Sequence, residues 1–213
     1  MAKLRSIILG ATGLVGGALT QTLAADQGFA RPVTLTRKPA WQDISDNHVI
    51  DFDRLSAAAD YFVGDILFSC LGTTRRRAGS LAAQRRVDVD YQLQAAEIAK
   101  AQGVKHYCLV SSSGADATSK NPYLQMKGAL EEHITNLGFD RVTILQPSLL
   151  LGPRDHLRVG EKIGSFILPL LTLVPPLRAY RPIPGETVAK KLAARAAEAG
   201  PAYEVLRLDE IFE

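Results

Sequence analysis

Residues 6–17 read SIILGATGLVGG, and this stretch decides the fold. Ser6 to Leu9 is a short apolar run of the kind that forms a buried strand, and helical patterning runs from Leu14 to about Ala25. Between them stand Gly10, Thr12, Gly13, Leu14, Val15 and Gly16, a glycine-rich turn in the strand–loop–helix setting that a dinucleotide-binding loop requires. Gly10 permits the tight turn out of the strand, Gly13 lets backbone approach a pyrophosphate, and Gly16 lets helix and sheet pack closely. The first helical turn then offers free N–H groups and a positive dipole end to the phosphates.

Outward from this loop, apolar runs alternate with helical patterns. Strands are expected at Pro32 to Thr36, His48 to Phe52, Asp65 to Leu71, His106 to Val110, Arg141 to Gln146 and, at an edge, Tyr203 to Leu208. Helices are expected over Ser80 to Gln102, Tyr123 to Leu137 and Thr187 to Ala199, the first two stopping at Gly103 and Gly138. Strands in alternation with helices indicate an α/β, doubly wound parallel sheet of the Rossmann type, covered on both faces. At 213 residues a single domain over 1–213 is the default, with 148–213 as a short segment on the substrate side.

The end of the second strand bears on the choice of cofactor. About twenty residues beyond the glycines, NAD-binding units place an acid for the ribose 2′-hydroxyl. Here the chain has Thr36-Arg37-Lys38. A guanidinium pairs with a 2′-phosphate and a carboxylate would repel it, so Arg37 and Lys38 favour NADP(H) over NAD(H).

Composition excludes several classes. With 46% hydrophobic and 22% charged residues this is an ordinary globule, and a net charge of +3 is too small to imply nucleic acid or an anionic membrane. Cys70 and Cys108 sit in apolar runs and fit no metal site or disulfide framework, and His48, His106, His133 and His156 lack ligand spacing. The first apolar run is short and ends at a glycine, so no signal peptide is expected and the cytoplasm is the expected location.

The reacting group is sought after the strand His106 to Val110. Ser111, Ser112, Ser113 and Gly114 follow it, and Tyr123 and Lys127 share one face of the next helix at i and i+4. That spacing alone is weak; its position at the carboxyl end of a central strand is what gives it weight. Carbonyl reduction needs an acid for the forming alkoxide, and an ammonium beside a tyrosine stabilises the phenolate and so lowers its pKa. A serine hydroxyl would polarise the carbonyl.

GATGLVG, CLGTTRRRAGS, RVDVDYQLQAAEIAKAQGVKHYCLVSSSGAD, YLQMKGALEEHI and QPSLLLGPR together resemble an atypical short-chain dehydrogenase/reductase, of the Tat-interacting-protein group and its bacterial relatives. The likeness runs from about residue 4 to residue 213. It implies Tyr123 as proton donor and Lys127 as its partner, bound also to the nicotinamide ribose. Ser113 matches the sugar-epimerase-type members and Ser112 the Tat-interacting group, so both stay open. It further implies Cys70, Leu71, Gly72 and Thr73 along the adenosine side of the cofactor and Pro147 near the nicotinamide.

The expected function is reduction of a small, apolar carbonyl compound by NADPH, with a non-catalytic NADP(H)-binding regulator or interaction module as the alternative. Transient use of the cofactor in an isomerase or epimerase is a third course. Arg75, Arg76 and Arg77 read either as a solvated loop or as a grip on an anionic substrate. Ile163 to Leu177 is uncharged, too short and proline-broken to span a bilayer, and is expected to be a lid or a contact with a second subunit or other protein, with contact to a membrane surface as the lesser alternative.

Overall fold

A computed structural model describes residues 2–40, 43–152 and 180–212. Its core is one parallel sheet built from β1 (Ser6–Leu9), β2 (Val33–Thr36), β3 (Asp46–Val49), β4 (Ile66–Ser69), β5 (His106–Val110), β6 (Arg141–Gln146) and β9 (Tyr203–Arg207), ordered β3-β2-β1-β4-β5-β6-β9. The chain winds outward from β1 to β3, returns to β4, and winds the other way. The order therefore reverses between β1 and β4, and the carboxyl ends of these two strands frame the crevice where such sheets take their ligands.

Alternation along the strands sorts the core into two layers. Ile7 and Leu9 face one cluster with Leu67, Tyr107, Leu109 and Ile144; Ile8 faces the other with Phe68, Cys108 and Leu145. The first layer packs under α4 (Tyr91–Ala101) and α5 (Pro122–Asn136), the second under α1 (Leu14–Ala25) and α6 (Gly185–Ala197). Beside the sheet, β7 (Leu150–Leu151) and β8 (Ile183–Pro184) form a small parallel pair, against which Leu14 packs at Gly152 and Gly185.

The expected strand His48 to Phe52 is displaced. The strand ends at Val49, and Phe52 opens an irregular 3₁₀ segment, Phe52–Phe62, with the Asp51 carboxylate accepting from Asp53 N–H at 2.9 Å. The polar β3 is held instead by Asn47, which donates to both Thr34 and Thr36 hydroxyls at 2.9 Å. The expected helix over Ser80 to Gln102 is α3 (Leu81–Arg85) and α4 joined through a π turn, Arg86–Asp90. Before it stands one further turn, α2 (Arg75–Ala78). Ile163 to Leu177 lies outside the described residues.

Candidate functional site

The glycine loop is shaped by contacts that exclude side chains. Gly10 has φ +82°, and a Cβ there would lie 2.6 Å from the carbonyl oxygen of Cys70. A Cβ on Gly16 would collide with the Gly10 carbonyl, and one on Gly13 would come within 3.1 Å of it. The loop and the end of β4 thus touch backbone to backbone across the switch point. Gly13 caps α1 with no side chain bonded to the helix end, and no acid stands in the first turn. That leaves the helix terminus able to receive an anion. Thr12 is exposed; Val15 is buried in the core, so it could meet a cofactor only through backbone.

Arg37 and Lys38 are exposed at the carboxyl end of β2. Arg37 shares a cavity of about 510 Å³ with Val49, Ile50, Asp51, Phe52, Asp53 and Tyr91. Hydrogen bonds from Arg54 and from Asp53 N–H hold the Asp51 carboxyl below its usual range.

At the end of β4, Cys70 is half-buried, Leu71 packs on the core and Gly72 is exposed. Burial pushes the Cys70 thiol up to about 12, with the Lys127 charge offsetting only part of it, so this sulfur is no thiolate nucleophile. Thr73 N–H donates to Asp88 at 2.8 Å. Asp88 went unnoticed in the sequence, where it is one of several charges in RRVDVD. The π turn makes it fully buried, held also by Gln84 at 3.2 Å. Burial raises its carboxyl, opposed first by the charge of Lys127.

β5 delivers the serines. Ser111 is buried, while Ser112 and Ser113 are half-buried; Ser113 N–H donates to the carbonyl of buried Pro147 at 2.9 Å, tying the ends of β5 and β6 together. Asn121 caps α5 by accepting from Tyr123 N–H at 2.9 Å, which sets Tyr123 in the first turn at 36% exposure. Lys127, one turn on, is only 3% exposed and donates to Val110 O at 3.3 Å. No ion pair of Lys127 exists among the described residues. One further turn along, Glu131 accepts from Gln146 at 2.9 Å, and burial raises its carboxyl against the pull of Ser111, Gln146 and Lys127. Gly128 also escaped notice: a Cβ there would run into the backbone of Asp116 and Ala117. The serine loop therefore lies directly on α5 beside Lys127.

All the expected site residues fall at the carboxyl edge of the sheet. Gly10, Cys70 and the serine triplet lie at adjacent strand ends, with Tyr123 and Lys127 following the serines and Arg37 and Lys38 on the far side of β1. The glycine cradle and the uncapped α1 terminus fit a dinucleotide pyrophosphate.

Comparison with known proteins agrees. Residues 10–166 match the family described as NAD(P)H-binding. Protein HTATIP2 of Rattus norvegicus is 44% identical over 161 residues, which are 72% of this chain and 66% of that protein. The mitochondrial protein FMP52 of Coccidioides immitis is 38% identical over 175 residues, 75% of this chain and 71% of its own length. Further fungal relatives are also named mitochondrial, which overturns the expectation of a cytoplasmic location. Among solved structures, MoeE5 in complex with UDP-glucose and NAD superposes with a TM-score of 0.72 at 18% identity, covering 97% of this chain and 79% of that one. The aldohexose dehydrogenase of Thermoplasma acidophilum does so with a TM-score of 0.72 at 16% identity, covering 96% and 92%. These last two likenesses speak to the fold alone. With its cradle, its sheet order and its relatives in agreement, the chain belongs to the NAD(P)H-binding family.

Proposed function

We propose that the chain is an NADP(H)-dependent reductase of a small carbonyl compound, with Tyr123 as the proton donor. The observation that carries this reading is Lys127: a cation buried to 3% exposure whose described hydrogen bond is one long contact to Val110 O, set one helical turn from Tyr123. Burying an ammonium is costly, and with one long hydrogen bond and no carboxylate within ion-pair distance among the described residues, its remaining N–H groups call for further partners. A ribose hydroxyl and a tyrosine oxygen are the partners that would repay it.

NADPH, when bound, supplies the hydride. The residues of the chain do the rest. Arg37 and Lys38 bind the 2′-phosphate, the amides after Gly13 take the pyrophosphate, and backbone near Pro147 orients the carboxamide. Ser112 or Ser113 donates to the substrate carbonyl oxygen and aligns it. Tyr123 Oη gives its proton to that oxygen as it becomes an alcohol, while Lys127 stabilises the phenolate left behind. The carboxyls of Asp88 and Glu131, both raised by burial, are the nearby acids on which the Lys127 charge acts. The expectation of an apolar substrate rests on Ile163 to Leu177, which lies outside the described residues.

The test is turnover of aldehydes, ketones and quinones followed by NADPH absorbance. Tyr123→Phe is expected to bind NADPH as tightly as the parent and to lose activity by about 100-fold or more. Full activity in that variant would refute the mechanism. Tight NADPH binding with no oxidation of it by any carbonyl would return the chain to the class of non-catalytic NADP(H)-binding modules.

A further inference from the structure

The arginines of the described residues fall into two groups, those with a carboxylate partner and those without. Arg5 and Arg31, just before β1 and β2, pair with Asp65 and with Asp43 and Asp46, and Arg141 at the start of β6 pairs with Glu204. Those on helical segments, Arg54, Arg85, Arg86 and Arg195, have carboxylates as well. The arginines with no carboxylate in reach among the described residues are Arg37, Arg75, Arg76, Arg77, Arg181 and Arg207. Every one of them stands on a segment at the carboxyl edge. Arg37 serves the 2′-phosphate in the reading above, Arg207 donates to Gln146 at 3.1 Å, and Arg181 stacks on Phe212 at 3.8 Å. The side chains of Arg75, Arg76 and Arg77 have no hydrogen bond, ion pair or ring contact among the described residues.

Their turn is nevertheless a built one. Thr74 Oγ1 accepts from Arg77 N–H at 3.3 Å, and Gly79, with φ +88°, closes the turn by donating to Arg75 O at 2.9 Å. Thr73, at its root, is anchored on buried Asp88. β4 lies between β1, which carries the glycine loop, and β5, which carries the serines. The turn that carries the three arginines therefore follows the strand flanked by those of the glycine loop and the serines. Three adjacent cations repel one another, and here no acid of the described chain relieves them.

We infer that the substrate is an anion, a carbonyl compound carrying a carboxylate or a phosphate, and that Arg75, Arg76 and Arg77 bind that group. The inference rests on the reductase reading. A guanidinium fork matches either oxyanion with paired, charge-assisted hydrogen bonds. Hydride adds to the carbonyl carbon, the Tyr123 proton to its oxygen, and the anionic group passes through unchanged; an alcohol and NADP⁺ leave. The partners being exposed, the effect belongs to substrate capture, and it shows in KM rather than kcat.

Calorimetric titration of the NADP⁺-saturated protein tests this apart from turnover. The probes are pyruvate against methyl pyruvate, and glyceraldehyde 3-phosphate against glyceraldehyde, so that the two arms tell carboxylate from phosphate. At least one anion is expected to bind about tenfold or more tighter than its neutral partner, about 1.4 kcal/mol. The combined variant Arg75→Gln, Arg76→Gln, Arg77→Gln is expected to abolish that preference and hold its NADP⁺ affinity within about twofold; Arg31→Gln, a paired arginine at the opposite edge, is expected to keep it. Equal binding of anion and neutral partner in both arms would overturn the inference. So would a parallel loss of NADP⁺ affinity in the combined variant, since the arginines would then serve the cofactor. Anion binding without NADPH oxidation would uphold the anion site and overturn the reductase reading alone.

Discussion

His106 shows how a single side chain can be stabilising at one pH and a liability at another. It is 7% exposed at the amino end of β5, and its Nε2 lies 2.9 Å from Thr143 Oγ1. Thr143 gives its one hydroxyl proton to Glu204 at 2.8 Å, so the ring donates to it through Nε2–H. Burial, aided by the Arg141 charge, lowers the His106 pKa to about 4. Unfolded, the ring titrates near its ordinary value of about 6.5. Between these two values the unfolded chain binds a proton that the folded chain refuses, so stability falls as the pH drops from 6.5 to 4 and levels off below. The full loss is on the order of 3 kcal/mol. Burial raises the Glu204 carboxyl, but hydrogen bonds from Arg195, Arg141 and Thr143 outweigh it and hold the group low, so its contribution is lost at still more acid pH. Urea midpoints across this range are expected to fall in the parent and to stay much flatter in His106→Gln. A parent curve that is flat between pH 6.5 and 4 would show that His106 is protonated in the fold. None of this network could be read from the sequence, because His106, Arg141, Thr143 and Glu204 meet only when β5, β6 and β9 are side by side.

At the scale of elements, legibility followed burial. β1, β5 and β6 are apolar runs buried on both faces, and their reading in the sequence stands within a residue or two. β3 carries Asp46-Asn47-His48-Val49 and is held at the edge by side-chain bonds from Asn47, so its pattern gave the strand signal to the apolar residues just beyond it. Among site elements, the glycine loop and the Tyr123–Lys127 helix were legible because their spacing is local. Asp88 was not, since only the π turn brings it under Thr73. Gly128 was not either, because the reason for it is the loop at Asp116 and Ala117, which folds back onto the helix. A methyl group at Gly128 would meet Asp116 Cα at 2.6 Å, so the serine loop must lift from α5 or the helix must shift. Gly128→Ala is expected to destabilise the fold by about 1–3 kcal/mol by overpacking. It should also weaken NADPH binding by disturbing Lys127, whereas Gly103→Ala, with nothing near its missing Cβ, touches only stability through its φ of +86°. Denaturant unfolding and NADPH titration together check this; an unchanged cofactor affinity in Gly128→Ala would detach the loop contact from the site.

The molecule as a whole has a small formal charge of +3, yet some of its exposed cations stand without a carboxylate partner. Arg5, Arg31 and Arg141 before β1, β2 and β6 are paired, and so are Arg54 and Arg86 beyond the strand ends, whereas Arg37 and Lys38 at the carboxyl edge have no carboxylate partner among the described residues. Such an edge should draw anions from a distance and should do so less as salt screens it. NADPH differs from NADH only by the 2′-phosphate, a charge of about −1.5 to −2, so comparing the two isolates the contribution of that group. At about 0.1 M salt, where the Debye length is ~10 Å, NADPH is expected to bind at least about tenfold tighter than NADH. At about 1 M, with a Debye length of ~3 Å, the long-range part is screened and the gap should narrow, leaving what contact with Arg37 supplies. Arg37→Ala should remove most of the gap at low salt and most of its salt dependence, because it deletes the nearest guanidinium while Lys38 remains. Fluorescence titration with both cofactors at the two salt concentrations gives all four affinities. Equal affinities for NADPH and NADH at low salt would show that Arg37 and Lys38 are only a solvated pair and that the 2′-phosphate has no site on this edge. A gap that survives Arg37→Ala unchanged would instead assign the phosphate to another cation of the same edge.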